Sequence, residues 1–220
     1  MAKVIIFGLQ DFASLAHFYL KYDSEHDVAA FTVTREYLPK EKIFEGLPIV
    51  AFEEIEIAFA PADFSFFVPM SHRKMNRLRE SIYMQAKDKG YELISYVSSK
   101  ATIFPDARIG DNCFILEDNT IQPFTSIGNN VVLWSGNHIG HHSIIKDHVF
   151  VTSHVVLSGH CTVEPYSFFG VNSTIRDKLH IAEGSFITMG ACVTKDTEAW
   201  GVYDGVPAQK RKVLSSDLDF

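Results

Sequence analysis

Ile139-Gly140-His141-His142-Ser143-Ile144-Ile145-Lys146-Asp147-His148-Val149-Phe150-Val151 holds two consecutive hexads, each opened by an aliphatic residue and closed by the next one. Extended outward, the period of six runs from Val97 to Val193, which is (193 − 97)/6 + 1 = 17 positions, and Phe169 alone is not Ile, Leu or Val. Roughly a quarter of the chain is Ile, Leu or Val, so chance would fill about four of these places. Neither a helix nor a single amphipathic strand has this period. A coil of three short flat faces does, because each face points one side chain at a shared axis. A second comb, four residues after each tooth, is mostly small: Ala101, Ala107, Cys113, Thr125, Ser143, Cys161, Ser167, Ser173, Ser185 and Ala191, with Asn119, Asn137 and Leu179 as misfits. Gly110, Gly128, Gly140 and Gly170 each follow a tooth, where a tight corner is expected to need φ freedom. Three hexads give an 18-residue coil, and at about 4.8 Å between strands the block predicts a prism roughly 27 Å tall.

Residues 1–95 lack the comb and read as alternating strands and helices. Lys3–Gly8, Val28–Val33, Phe64–Val68 and Tyr91–Val97 are expected strands, and Arg73–Lys89 an expected helix stopped by Gly90. The alternation predicts a small parallel α/β domain whose binding edge lies at the carboxyl ends of its strands. Residues 96–206 carry the prism, and 207–220 read as a polar tail.

A net charge of −7 argues against a nucleic-acid surface. The basic cluster Arg73–Arg79 is expected on the solvated face of its helix, and Lys210–Lys212 in the tail. No signal peptide or membrane-length apolar run is present, which points to the cytoplasm. Cys113 and Cys161 fall on the inward comb and are expected to be reduced core residues.

The stretches Ile139–Ile145, Phe169-Gly170-Val171-Asn172-Ser173 and Gly205-Val206-Pro207-Ala208 resemble bacterial nucleotide-sugar N-acetyltransferases, which carry an N-terminal Rossmann-like domain and a C-terminal left-handed β-helix. That group acetylates UDP-4-amino-sugars and GDP-perosamine, and its wider kin include sialic-acid O-acetyltransferases. The resemblance covers nearly the whole chain and supplies the left hand, against the general right-handed preference of crossovers. It implies a homotrimer with acetyl-CoA in the groove between subunits, no metal, and a product feeding O-antigen, capsule or glycan synthesis.

His141 matches the family's catalytic base, a group with a pKa near ~6.5 that can accept the proton of an attacking amine at neutral pH. Gly159, one coil on, matches the family's oxyanion donor. His142 stands where the family has an acidic partner; a neutral imidazole can orient the base but hardly stabilise its protonated form. The resemblance assigns Phe150, Val171 and Met189, with Pro207 and Ala208 near the adenine, to acetyl-CoA. It assigns the nucleotide to Gly8, Gln10, Asp11 and Phe12, to Thr34 and Arg35, and to Ser71 and His72. All three nucleotide landmarks depart from the family pattern. The Gly-rich turn keeps only Gly8, the acidic residue after the second strand is missing, and the third loop lacks its Gly.

His138, His141, His142, His148, His154 and His160 raise a zinc reading of the γ-carbonic-anhydrase type. That family's His five residues before the His141 position is Gly136 here, and surface or groove histidines are the simpler reading. A sugar O-acetyltransferase and a non-catalytic sugar-nucleotide binder stay open beside the N-acetyltransferase.

Overall fold

Each tooth of the comb is the second residue of a two-residue strand, so it points inward while its predecessor points out. The computed structural model describes residues 2–218. From β6 (Tyr96–Val97) to β22 (Cys192–Val193) the strands stack as a three-sided parallel prism. Partners lie one coil apart, as in Ile121 with Ile139 and Ile139 with Leu157, which sets the coil at 18 residues. The teeth form one core running the length of the prism. The buried Asn119 and Asn137 direct their amide N–H groups at backbone carbonyls: the Asn119 amide donates to the carbonyls of Leu116 and Trp134, and that of Asn137 to Trp134.

The corners differ from expectation. Gly110, Gly128, Gly140 and Gly170 do not take positive φ. They are required by close approach instead: a Cβ at Gly140 would lie 2.5 Å from the amide nitrogen of Gly159, and one at Gly170 would lie 2.4 Å from that of Met189. The left-handed conformation falls three residues after the tooth, at Asn112, Asn130, His142, His148, His154, His160 and their equivalents, with φ from 51° to 62° at these six. This position explains the recurring histidines as corner residues.

The N-terminal part comprises β1 (Lys3–Phe7), α1 (Asp11–Tyr22), β2 (Asp27–Val33), β3 (Ile43–Phe44), β4 (Leu47–Ala51), α2 (Ile55–Ala58), β5 (Ser65–Phe67) and α3 (Arg77–Asp88). The sheet order is β3-β4-β2-β1-β5, parallel except for β3. The strand β4 escaped the sequence reading; Pro48 and its short length hide it. The helix α3 starts four residues later than expected, because Lys74, Met75 and Asn76 have φ of 52°, 50° and 67°. Because β1 lies between β2 and β5, the carboxyl ends of these strands bring the loops of Gly8, Thr34 and Ser71 to one edge.

A third periodicity joins the two parts. On one prism face the outward strand residues are Tyr96, Phe114, Val132, Phe150 and Phe168, spaced by 18. They are buried with Ala13, Ala16, Leu20, Phe67 and Met75 in a single apolar cluster. Each buried ring contributes about 1.5–3 kcal/mol. Phe150 is 2% exposed, with Phe12, His72 and Phe168 around it and the Arg79 guanidinium 5.6 Å from its ring centre. Its assignment to the acetyl-CoA groove is therefore corrected: it is covered by the N-terminal part.

Two further expectations change. Arg79 is not on a solvated face but 0% exposed. Its guanidinium donates to Asn130 and Asn76 side chains and to the carbonyls of Met70, Ser71, Asn130, His148 and Val149. Burial pushes its pKa below the usual arginine value, and these acceptors offset the cost of leaving water. The expected tail contains a strand, β24 (Gln209–Leu214), antiparallel to β23 (Gly201–Asp204), which extends the same face. Cys113 and Cys161 are buried free thiols, and burial pushes Cys113 up to about 12.

Candidate active site

The corner column Phe124, His142 and His160 follows from the coil length, and the three rings stack in order. His142 lies 4.6 Å from Phe124 and 4.8 Å from His160, the latter pair nearly parallel at 17°. His141 precedes that corner and stands edge-on to His160 at 5.0 Å. Its Nδ1 is 3.0 Å from Nδ1 of His142. For Nε2 of His141 to accept a proton, Nδ1 carries the hydrogen and donates it to His142. His142 thus stands within hydrogen-bonding distance of Nδ1 of His141, on the left-handed corner that follows it.

The Nε2 edge of His141 faces Gly159. A methyl group added there would lie 2.8 Å from Nε2, 2.9 Å from Cε1 and 3.2 Å from Cδ2 of His141. At this hexad position the N–H groups of Asp111, Asn129 and His141 are capped by side-chain oxygens of Asn129, Asp147 and Gln122. That of Gly159 has no partner among the described residues. A lone-pair nitrogen and an unspent backbone donor therefore sit beside one another on an open corner, which suits proton removal next to a developing oxyanion.

His160 is held below its ordinary pKa by partial desolvation and by the imidazoles of His142 and His141. His148 is not a surface histidine: it is buried between the parts, with Nδ1 2.9 Å from the Asn130 amide and Nε2 3.5 Å from Glu80. His154 occupies the third corner, over Gly136.

Of the other expected positions, Val171 and Met189 are exposed and stack one coil apart, and Pro207 is exposed with Ala208 half-buried beside the prism core. Gly8 has φ of 115° and its N–H donates to Thr32. Gln10 and Asp11 are exposed at the start of α1, while Phe12 packs on Trp134 at 5.5 Å and faces the interdomain cluster. Thr34 is half-buried; the Arg35 side chain pairs with Glu54 at 2.6 Å and its N–H with Glu53. His72 lies 4.5 Å from Phe168, and burial with the nearby Arg79 charge pushes its pKa down to about 4. His72 and Phe12 thus meet at Phe150, whereas Arg35 is held by its own sheet edge.

Residues 106–141 match the family model for the bacterial transferase hexapeptide (six repeats). Across 97% of this chain and 98% of that one, the fold is similar to a variant of perosamine N-acetyltransferase from Caulobacter crescentus in complex with CoA and GDP-perosamine (TM-score 0.84, 20% identity). It is also similar to the acetyltransferase domain of PglB from Neisseria gonorrhoeae in complex with acetyl coenzyme A, over 96% of this chain and 99% of that one (TM-score 0.82, 19% identity). The fold is that of the hexapeptide acetyltransferases, an α/β domain followed by a left-handed parallel β-helix. Among curated relatives, the acyl-[acyl-carrier-protein]–UDP-N-acetylglucosamine O-acyltransferases of Pseudomonas savastanoi and Stutzerimonas stutzeri are each 30% identical over 112 residues. That stretch is 48% of this chain and 43% of theirs, so the match spans under half of those enzymes. No helix among the described residues is long and apolar enough to cross a membrane.

Within this hexapeptide fold, sequence reading missed two things. Gln122 caps the backbone of His141 from one coil below, and the aromatic column binds the two parts. The second had a legible signal, an 18-residue recurrence of large apolar residues just before the teeth.

Proposed function

We propose that this chain is an acetyl-CoA-dependent N-acetyltransferase that acetylates the amino group of a nucleotide-linked amino-dideoxy sugar. The amine attacks the thioester carbonyl directly, and the new C–N bond forms as the carbonyl oxygen becomes an oxyanion. Nε2 of His141 takes the proton from the attacking nitrogen, the Gly159 N–H stabilises the oxyanion, and His142 holds the base in its tautomer. Collapse of the intermediate breaks the C–S bond and releases CoA, whose thiolate recovers a proton. The observation that carries this reading is the Nε2 edge of His141 over the unpaired N–H of Gly159.

Val171, Met189, Pro207 and Ala208 line the acetyl-CoA groove, which a neighbouring subunit of a homotrimer completes. Gly8, Gln10, Asp11, Thr34, Arg35, Ser71 and His72 form the edge that meets the nucleotide, with Phe12 packed behind it. The product feeds O-antigen, capsule or glycan synthesis in the cytoplasm. The similarity to structures holding CoA, acetyl coenzyme A and GDP-perosamine supports the substrate class.

The test is release of free CoA thiol with a panel of UDP-, dTDP- and GDP-linked amino sugars. Turnover with at least one is expected; none with any member would end the proposal. The curated O-acyltransferase relatives supply a second reading, acetylation of a sugar hydroxyl, and hydroxyl analogues in the same panel separate the two.

A further inference from the structure

His141, His142 and His160 each offer a ring nitrogen, and these three atoms lie within 4.8 Å of one another. All three side chains are exposed. We propose that these imidazoles form a binding site for a borderline-soft divalent cation of the zinc type, with a fourth position open to water, and that its occupancy blocks acetyl transfer. The second half rests on the reading of His141 as the base; the first half does not.

The geometry suits such an ion. Zn–N bonds of about 2.0–2.1 Å in a tetrahedron put ligand nitrogens about 3.3–3.4 Å apart. One pair, Nδ1 of His141 and Nδ1 of His142, is already at 3.0 Å, and the largest separation has to contract by at most about 1.5 Å. Exposed rings can make that contraction by small side-chain rotations, since their main ring contacts are with one another and with Phe124. The backbone, by contrast, is preset. His142 and His160 occupy the same corner on successive coils, each in the left-handed conformation with φ of 58° and 59°. His160 donates its N–H to the carbonyl of His141 at 2.9 Å, which fixes the third ligand against the first. The β-helix thus holds three neutral-nitrogen donors on one rigid corner with no carboxylate among them, a donor set that favours zinc over magnesium or calcium. An ion held through Nδ1 of His141 moves the ring's hydrogen to Nε2, so the lone pair that would accept the amine's proton is gone.

The experiment uses the full, tag-free chain stripped of metal. Zinc is titrated by calorimetry, and bound metal is measured by atomic emission after dialysis, for the wild type and for His160→Asn. Asn tolerates the left-handed corner, and circular dichroism confirms that the variant is folded. The expected result is about one zinc per chain, no response to magnesium, and at least a tenfold weaker affinity in His160→Asn. In the CoA-release assay, with each protein's rate taken relative to its own zinc-free rate, zinc silences the wild type at concentrations that leave His160→Asn active. Equal zinc binding by both proteins, or none by the wild type, overturns the site. Tight zinc binding with no inhibition overturns the blocking step alone. Tight zinc binding in a protein that turns over no amino sugar leaves the site standing and removes the acetyltransferase reading.

Discussion

Gly159→Ala separates the catalytic reading of the open corner from a merely structural one. The three atoms nearest a methyl group at residue 159 all belong to the ring of His141, at 2.8–3.2 Å. Comfortable contact begins at about 3.5 Å, so the imidazole has to retreat by about 0.7 Å. Gly159 is not in a left-handed conformation, so alanine adopts its backbone without strain, and the N–H that faces the oxyanion is kept. The displaced ring is exposed and flexible, and stability should change by no more than about 0.5 kcal/mol, or roughly 2 °C in Tm for a chain of this size. Misplacing a base by about 1 Å costs up to about 10²-fold in rate. Steady-state CoA release should therefore show kcat down by about 10–100-fold, with KM for acetyl-CoA and Tm nearly unchanged. Added to His141→Ala, the substitution should cost almost nothing further, because the group that it displaces is gone. Full kcat in Gly159→Ala, or two losses that multiply in the double variant, would refute the reasoning.

The remaining predictions test the parts around that corner. Phe150→Ala should lose about 3–5 kcal/mol and roughly 6–20 °C in Tm, by calorimetry, with KM for acetyl-CoA changed less than about twofold; a large KM effect in a stable variant would restore it to the groove. Met189→Glu, on a side chain 77% exposed, should raise KM for acetyl-CoA about tenfold while Tm stays within about 1 °C. His72 is pushed down to about 4 by burial and Arg79, so its neutral form is favoured in the folded state. The unfolded chain binds the proton first, hence stability falls as pH drops from about 6.5 towards about 4. After discounting for its partial exposure, the loss is about 1–2 kcal/mol. Urea unfolding at pH 7 and pH 4.5 should show a smaller loss in His72→Gln than in the wild type; an equal loss would assign the effect to His17, His26 or His148, which burial also lowers.

The period of six was legible in the sequence because every inward tooth meets the same environment, and each mismatch would leave a hole in the core. The coil length followed by arithmetic and placed Gly159 beside His141 and His160 above His142. What stayed hidden depends on contacts between segments far apart in the chain. Arg79 looks like any helical arginine until Asn130, His148 and the carbonyls around them are seen to converge on it. Phe150 obeys the strand pattern but points outward, so only the packed N-terminal part reveals that its face is covered. The glycines after the teeth were legible as necessary, yet for the wrong reason: the neighbouring coil's backbone, not φ, demands them. In the N-terminal third β4 was missed, and all three nucleotide landmarks depart from the family's pattern, the Gly-rich turn keeping only Gly8.

The most direct test of the central claim is the steady-state rate of acetyl transfer by His141→Ala, with the best amino-sugar acceptor of the panel, beside the wild type. A positioned base contributes about 10²–10⁴ in rate, and the proposal gives that role to Nε2 of His141, on the ring edge that faces Gly159. The account predicts a fall in kcat of that size with KM for acetyl-CoA and Tm unchanged. Turnover undiminished in His141→Ala would contradict it.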